Sequence, residues 1–109
     1  MAAQFELKTA KDRRNYFTLV ASNGETILTS QMYATKAGAR KGIRSVQVNA
    51  SVADRYERRQ GKRNKSHFVL KAANHRVIGS SETYSSKAAM EKGLKSVMKY
   101  GKTKKIVTG

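Results

Sequence analysis

The stretch YFTLVASNGETILTS, residues 16–30, returns 51 positions later as HFVLKAANHRVIGSS, residues 67–81. In the first copy Phe17, Leu19 and Ala21 alternate with Tyr16, Thr18 and Val20, the period of a β-strand. The residues identical in both copies, Phe17/Phe68, Leu19/Leu70 and Ala21/Ala72, share one parity, which marks the core-facing side. Asn23-Gly24 follows, a pair whose tolerance of positive φ predicts a tight type I′ hairpin turn, and Thr26 to Thr29 returns as the partner strand. The second copy has Asn74-His75 at that place. Histidine enters the left-handed region less readily than glycine, so a hairpin with a different turn geometry is expected there.

Outward from this hairpin the match continues without a gap, residues 5–50 onto 56–101, with 15 identities in 46 pairs. Unrelated segments of ordinary composition agree at roughly one position in sixteen, so the chain carries one structural unit twice. Upstream, Phe5 to Lys8 alternates as a short strand. Downstream, Thr35 and Ser86 occupy N-cap positions ahead of Ala39, Ile43, Val46 and of Met90, Leu94, Val97, whose i, i+4, i+7 spacing predicts an amphipathic helix in each copy. Gly42 and Gly93 fall inside these helices at a cost of about 1 kcal/mol each relative to Ala, and their recurrence points to close helix-to-strand approach. Val52 to Arg59 and Lys104 to Val107 read as further strands, the first doubling as strand one of the second copy.

The unit is therefore β-β-β-α, with repeat one over about 4–51 and repeat two over about 55–109. Some 50 residues bury too little apolar surface to stand comfortably alone, so the copies are expected to share one core. Residues 1–109 read as a single α+β domain, an antiparallel sheet with both helices on one face.

The chain has 23 Lys and Arg against 7 Asp and Glu, a formal charge of +16, with 39% hydrophobic residues. That content places it among folding chains, and the charge predicts attraction to polyanions. The absence of cysteine excludes a disulfide framework, a thiolate metal site and a cysteine nucleophile. Met1 to Arg14 is polar, and no run of 18 apolar residues exists, so a cytoplasmic protein with no membrane association is expected.

Gly24-Glu25-Thr26-Ile27-Leu28-Thr29-Ser30, Met32-Tyr33 and Gly42-Ile43-x-Ser45-Val46, followed by Lys71-Ala72-Ala73-Asn74-His75 and Ile78-Gly79-Ser80-Ser81, closely resemble the bacterial YegP-like family, over nearly the whole chain. The resemblance implies tandem β-β-β-α-β units that build one sheet and exchange their last strands. It makes the chain a monomer that is an internal pseudo-dimer. It implies no activity, catalytic residue, cofactor or ligand.

The residues themselves show no catalytic constellation. His67 takes the place of Tyr16 on the less apolar parity of its strand, and His75 lies in a turn with no second ligand at metal spacing. Glu6 and Glu57 are repeat equivalents beside Lys8, Arg58 and Arg59, which fits surface ion pairing better than paired acid–base carboxylates. Lys41-Gly42 and Lys92-Gly93 lie within helical patterns and lack phosphate-loop spacing. A non-enzymatic protein with no cofactor and no metal is expected.

Charge placement is more informative. Residues 52–109 hold 15 basic and 4 acidic residues, or +11, and the preceding part holds 8 and 3, or +5. Arg55, Arg58, Arg59, Lys62, Arg63 and Lys65 put six cations into eleven residues, and Lys99, Lys102, Lys104 and Lys105 load the end. If the terminal strands pair near the centre of the sheet, these two segments approach one another. The helices add Lys36, Arg40, Lys41 and Arg44, and Lys87, Lys92 and Lys95. Nonspecific DNA or RNA binding through phosphate contacts, centred on the six-cation segment, is the leading expectation, without base readout. The alternative is a protein-interaction or homodimerisation module. With helices on one face only, Tyr16, Val20, Leu28 and His67, of the opposite parity, would remain on an open sheet face.

Overall fold

The computed structural model describes residues 2–108 apart from the side chain of Asn64. Repeat one forms β1 (Gln4–Thr9), β2 (Asn15–Val20), β3 (Thr26–Ser30) and α1 (Lys36–Asn49). Repeat two forms β4 (Tyr56–Gln60), β5 (Ser66–Lys71), β6 (Val77–Ser80) and α2 (Lys87–Tyr100), and β7 (Ile106–Thr108) ends the chain. The segment read as one strand from Val52 opens instead with a 3-10 turn at Ala53–Arg55, because Val52 and Asp54 have no strand to pair with before β4 meets β5.

The seven strands form one sheet in the order β4-β5-β6-β3-β2-β1-β7. The strand after α1 pairs with repeat two and the strand after α2 pairs with repeat one, which is the expected exchange. All pairings are antiparallel except β7 against β1, which is parallel, so the sheet is mixed. The terminal strands do not meet near the centre. β4 and β7 are the two opposite edges, because β3 and β6 pair across the middle, and the two basic segments are held apart.

Thr35 and Ser86 cap the helices as their positions predict, their hydroxyls accepting from Gly38 N at 3.0 Å and Ala89 N at 3.1 Å. The apolar stripes Ala39, Ile43, Val46 and Met90, Leu94, Val97 are buried in one cluster with Phe5, Phe17, Leu19, Phe68 and Leu70. Gly42 and Gly93 do allow close approach, chiefly of a tyrosine that precedes each helix. A Cβ on Gly42 would lie 2.7 Å from Cζ of Tyr33 and 2.8 Å from Cε2 of Phe17, and one on Gly93 would lie 2.6 Å from Cζ of Tyr84.

The two hairpin turns are alike, contrary to the expectation from Asn74-His75. Only Gly24 has positive φ in the first, and Asn23 instead accepts Glu25 N on its side chain at 3.0 Å. That is a three-residue turn ending in a left-handed residue, not type I′. The second repeats it: His75 takes φ 68°, and Asn74 accepts Arg76 N at 3.0 Å. The asparagine cap and the flanking ladder impose the geometry, and His75 accepts the left-handed conformation.

Both hairpins contain a bulge. Leu19 pairs with Leu28 and Val20 with Thr26, so Ile27 is an extra residue, and Ile27 and Leu28 are both buried in the helix-side core. The bulge in repeat two is equivalent: Leu70 pairs with Gly79 and Lys71 with Val77. Gly79 is the repeat counterpart of Leu28, and the two meet, since a Cβ on Gly79 would lie 3.2 Å from Cγ of Leu28. Gly101, counterpart of Ala50, meets Ala50 Cβ more closely still. A pseudo-twofold axis thus runs between β3 and β6 and between the helix ends. At the two helix-side positions that meet their own counterparts, Leu28 against Gly79 and Ala50 against Gly101, one of the pair is glycine.

Candidate functional site

The basic edge begins at Tyr56, the buried anchor of β4. Its ring packs edge-on against Phe68 at 5.7 Å, and its hydroxyl donates to the Ala50 carbonyl at 2.5 Å, tying β4 to the end of α1. Burial raises the Tyr56 hydroxyl far above its ordinary pKa. Beyond Tyr56 the strand alternates, which sends consecutive arginines to opposite faces. Arg58, opposite Phe68, reaches the helix side and forms a two-pronged ion pair with Glu91 of α2, one contact at 3.0 Å. Arg59 lies on the other face and pairs with Glu57 at 2.6 Å, and Glu57 also meets Lys71 at 3.2 Å. The Arg59 hydrogen bond, then that of Lys71, holds the Glu57 carboxyl below the ordinary carboxylate value, and Arg58 does the same for Glu91. A cleft of about 240 Å³ lies beside these groups, between β4 and Lys87, Met90 and Glu91.

The β4–β5 connection closes with Gly61 N donating to Lys65 O at 2.7 Å, and Arg63 is left-handed at φ 61°. Lys62, Arg63 and Lys65 are exposed at this tip, and among the described residues none has an ion-pair partner within 4.0 Å. The first repeat is different: in the β1–β2 connection Asp12 pairs with Arg14 at 2.7 Å, and the position equivalent to Asp12 is Arg63. Substitution of a carboxylate by a guanidinium strips the second tip of its internal counter-charge.

The six cations therefore divide. Arg55 donates to the Asn49 side chain at 3.0 Å, Arg58 and Arg59 are committed to carboxylates, and the tip triplet is free. The Glu57–Arg59 pairing is legible from i, i+2 spacing on one strand face. The Arg58–Glu91 pair joins residues 33 apart and carries no such signal. Lys102, Lys104 and Lys105 flank β7 at the far edge, and Lys99 lies over the Tyr100 ring at 5.2 Å. The seven helix cations are exposed.

Two of the residues assigned to the open sheet face are not available there. Leu28 is 1% exposed because the bulge turns it to the helix side, and Val20, held in that bulge between Gln4 and Thr26, is 5% exposed. Tyr16 and His67, repeat equivalents, remain half-buried on that face. Its centre is lined by buried Thr18 and Val69, which pair with Glu6 and Glu57 across the ladder. Among the described residues no cluster of three His, Asp or Glu side chains could hold a metal ion, and no helix is long and apolar enough to cross a membrane.

Comparison with known proteins places this geometry. A family model described as a domain of unknown function, DUF1508, matches residues 10–57 and again 62–107, one copy per repeat. The chain is similar to a UPF0339 protein of Photorhabdus laumondii, 54% identical over 97 residues, which cover 89% of this chain and 85% of that one. Two solution NMR structures share the fold. The UPF0339 protein of Shewanella oneidensis has a TM-score of 0.93 at 47% identity, covering 99% of this chain and 92% of that one. The YegP protein of Escherichia coli, titled a protein of unknown function, has a TM-score of 0.94 at 43% identity, covering 100% and 94%. With two family-model matches along the chain and relatives that span nearly its full length, the protein belongs to the YegP-like DUF1508 family.

Proposed function

We propose that the protein is a non-enzymatic nucleic-acid-binding protein that contacts the phosphate backbone of DNA or RNA without reading sequence, through the edge formed by β4 and its following turn. The observation that carries this reading is the composition of the tip. Lys62, Arg63 and Lys65 present three exposed charges with no carboxylate partner among the described residues, next to Arg58 and Arg59, whose partners are surface carboxylates. Backbone binding needs only such a cluster, because release of condensed counterions supplies the free energy. Cations on an edge strand also discourage edge-to-edge pairing of sheets, a role compatible with phosphate contact.

The test is fluorescence anisotropy of labelled duplex DNA and single-stranded RNA with the parent chain and with the triple variant Lys62→Glu, Arg63→Glu, Lys65→Glu. All three positions are exposed, so the fold should survive, which circular dichroism checks. The variant is expected to lose most of the affinity at about 50 mM salt. Equal binding by parent and variant would place the interface elsewhere, and no binding by the parent would remove the reading altogether.

A further inference from the structure

The two repeats each set a tyrosine over a helical glycine, and a groove lies between the helix of repeat one and the hairpin of repeat two. The groove between α1 and the β5–β6 hairpin encloses about 410 Å³, within the roughly 300–1,000 Å³ range of small-molecule sites. Four cationic or hydroxyl-bearing side chains line it, Tyr33, Lys41, Ser45 and Arg76, together with the amides of Gln31 and Asn74. Among the described residues none of these four side-chain groups has a hydrogen-bond or ion-pair partner. Ala72 and Ile78 add aliphatic lining on the helix side of the sheet.

The repeat-equivalent positions in the other half carry a different net charge. Arg76 corresponds to Glu25 and Gln31 to Glu82, while Lys41 corresponds to Lys92. Lys41 and Arg76 give the groove +2, and Lys92 with Glu25 and Glu82 gives the equivalent positions −1, a difference of three charges. The tyrosines register this difference. Burial alone raises the Tyr33 hydroxyl, whereas Tyr84 is raised by burial and further by the carboxylates of Glu82 and Glu25. One sequence pattern has thus been retained twice as a scaffold, and only one copy holds a cationic, uncommitted donor set.

We infer that the groove between α1 and the β5–β6 hairpin binds a small phosphate monoester carried on an apolar body. A phosphate monoester brings a charge of about −1.5 to −2 and three acceptor oxygens, which matches two cations and two hydroxyl donors. The Arg76 guanidinium can take two of those oxygens side by side. A monocarboxylate has two oxygens and one charge, and leaves a cation unmatched. The aliphatic lining of Ala72 and Ile78 takes the apolar body and gains from its burial. This site is separate from the Lys62–Lys65 tip, so either can fail without the other.

The experiment is a titration of the isotope-labelled full chain, followed by amide NMR shifts at about 150 mM salt, with phenyl phosphate, inorganic phosphate and benzoate as probes. Phenyl phosphate is expected to give saturating shifts confined to Tyr33, Lys41–Ser45 and Asn74–Ile78, and the other two probes weaker ones at the same places. Lys41→Gln with Arg76→Glu, both exposed positions, should weaken binding at least about tenfold. Glu25→Arg with Glu82→Gln should create a second saturating set around Tyr84, Lys92 and Ser96. Shifts of equal size at the equivalent positions around Tyr84 and Lys92 of the parent chain, or unsaturated shifts scattered over all lysines and arginines, would overturn the assignment. So would the absence of any shift with phenyl phosphate.

Discussion

Substitution of Gly79 by Ala tests the pseudo-symmetric packing on which the shared core rests. The added methyl would lie 2.8 Å from the Thr29 carbonyl oxygen, 3.2 Å from the Thr29 carbonyl carbon and 3.2 Å from Leu28 Cγ. Two of these neighbours are backbone of β3, which pairs with β6 through Thr29–Ser80 and Ser30–Gly79, so relief requires displacing the central ladder. Overpacking of this kind costs about 1–3 kcal/mol, and replacing a strand glycine by alanine returns about 0.5–1 kcal/mol. The expected net loss is about 0–2.5 kcal/mol, or up to about 10 °C in Tm for a domain of this size. Urea unfolding followed by circular dichroism measures it. Leu28→Ala, at a site 1% exposed, should cost about 2–5 kcal/mol through the cavity it leaves. The double variant should cost less than the sum, because the methyl on residue 79 then meets one obstacle fewer. A stabilising Gly79→Ala, or strict additivity in the double variant, would refute the picture of one side chain shared across the axis.

Other substitutions probe the turns, the helix–tyrosine contact, the buried hydroxyl and the ion pairs. His75→Gly should stabilise the chain by about 0.5–1 kcal/mol in the same unfolding assay, because His75 holds φ 68° at a cost glycine does not incur. Gly42→Ala should destabilise by about 1–3 kcal/mol in spite of better helix propensity, since the methyl overlaps Tyr33 and Phe17. Tyr56 has a raised folded pKa, so its contribution is present below the unfolded value near 10.0 and is lost as pH rises above it. Unfolding titrations should show stability falling above about pH 10 and Tyr56→Phe flattening that fall. Glu57→Gln with Glu91→Gln releases Arg59 and Arg58 and should steepen the salt dependence of duplex DNA binding by about 1.8 in log–log slope, read by anisotropy.

The order of strands and helices was legible because each element announces itself locally. The parity of Phe17, Leu19 and their counterparts marked the core face, and the spacing of Ala39, Ile43 and Val46 after Thr35 marked a capped helix. What escaped local reading depended on register. A single extra residue at Ile27 turned Leu28 from the open face into the core, and no strand alternation discloses a bulge in advance. The Asn74-His75 turn matches the first because the Asn74 cap, itself a sequence feature, outweighs the reluctance of histidine to enter the left-handed region. The parallel pairing of β7, and with it the separation of the two basic segments, is a long-range outcome of the exchange between repeats. At the candidate interface all six cations were visible in the sequence. Their division into committed and free groups required Glu91 and Lys71, which arrive from α2 and β5.

The most direct measurement is the slope of log affinity for duplex DNA against log salt concentration between about 50 and 200 mM. If three tip cations meet phosphates while Arg58 and Arg59 keep their carboxylates, the slope is about −2.7 and affinity falls about 40-fold over that range. Engagement of all six cations would instead give about −5.4. A slope near −2.7 that collapses in the Lys62→Glu, Arg63→Glu, Lys65→Glu variant is the predicted result. A slope near zero, or one that this triple substitution leaves unchanged, would contradict phosphate binding at the β4 edge.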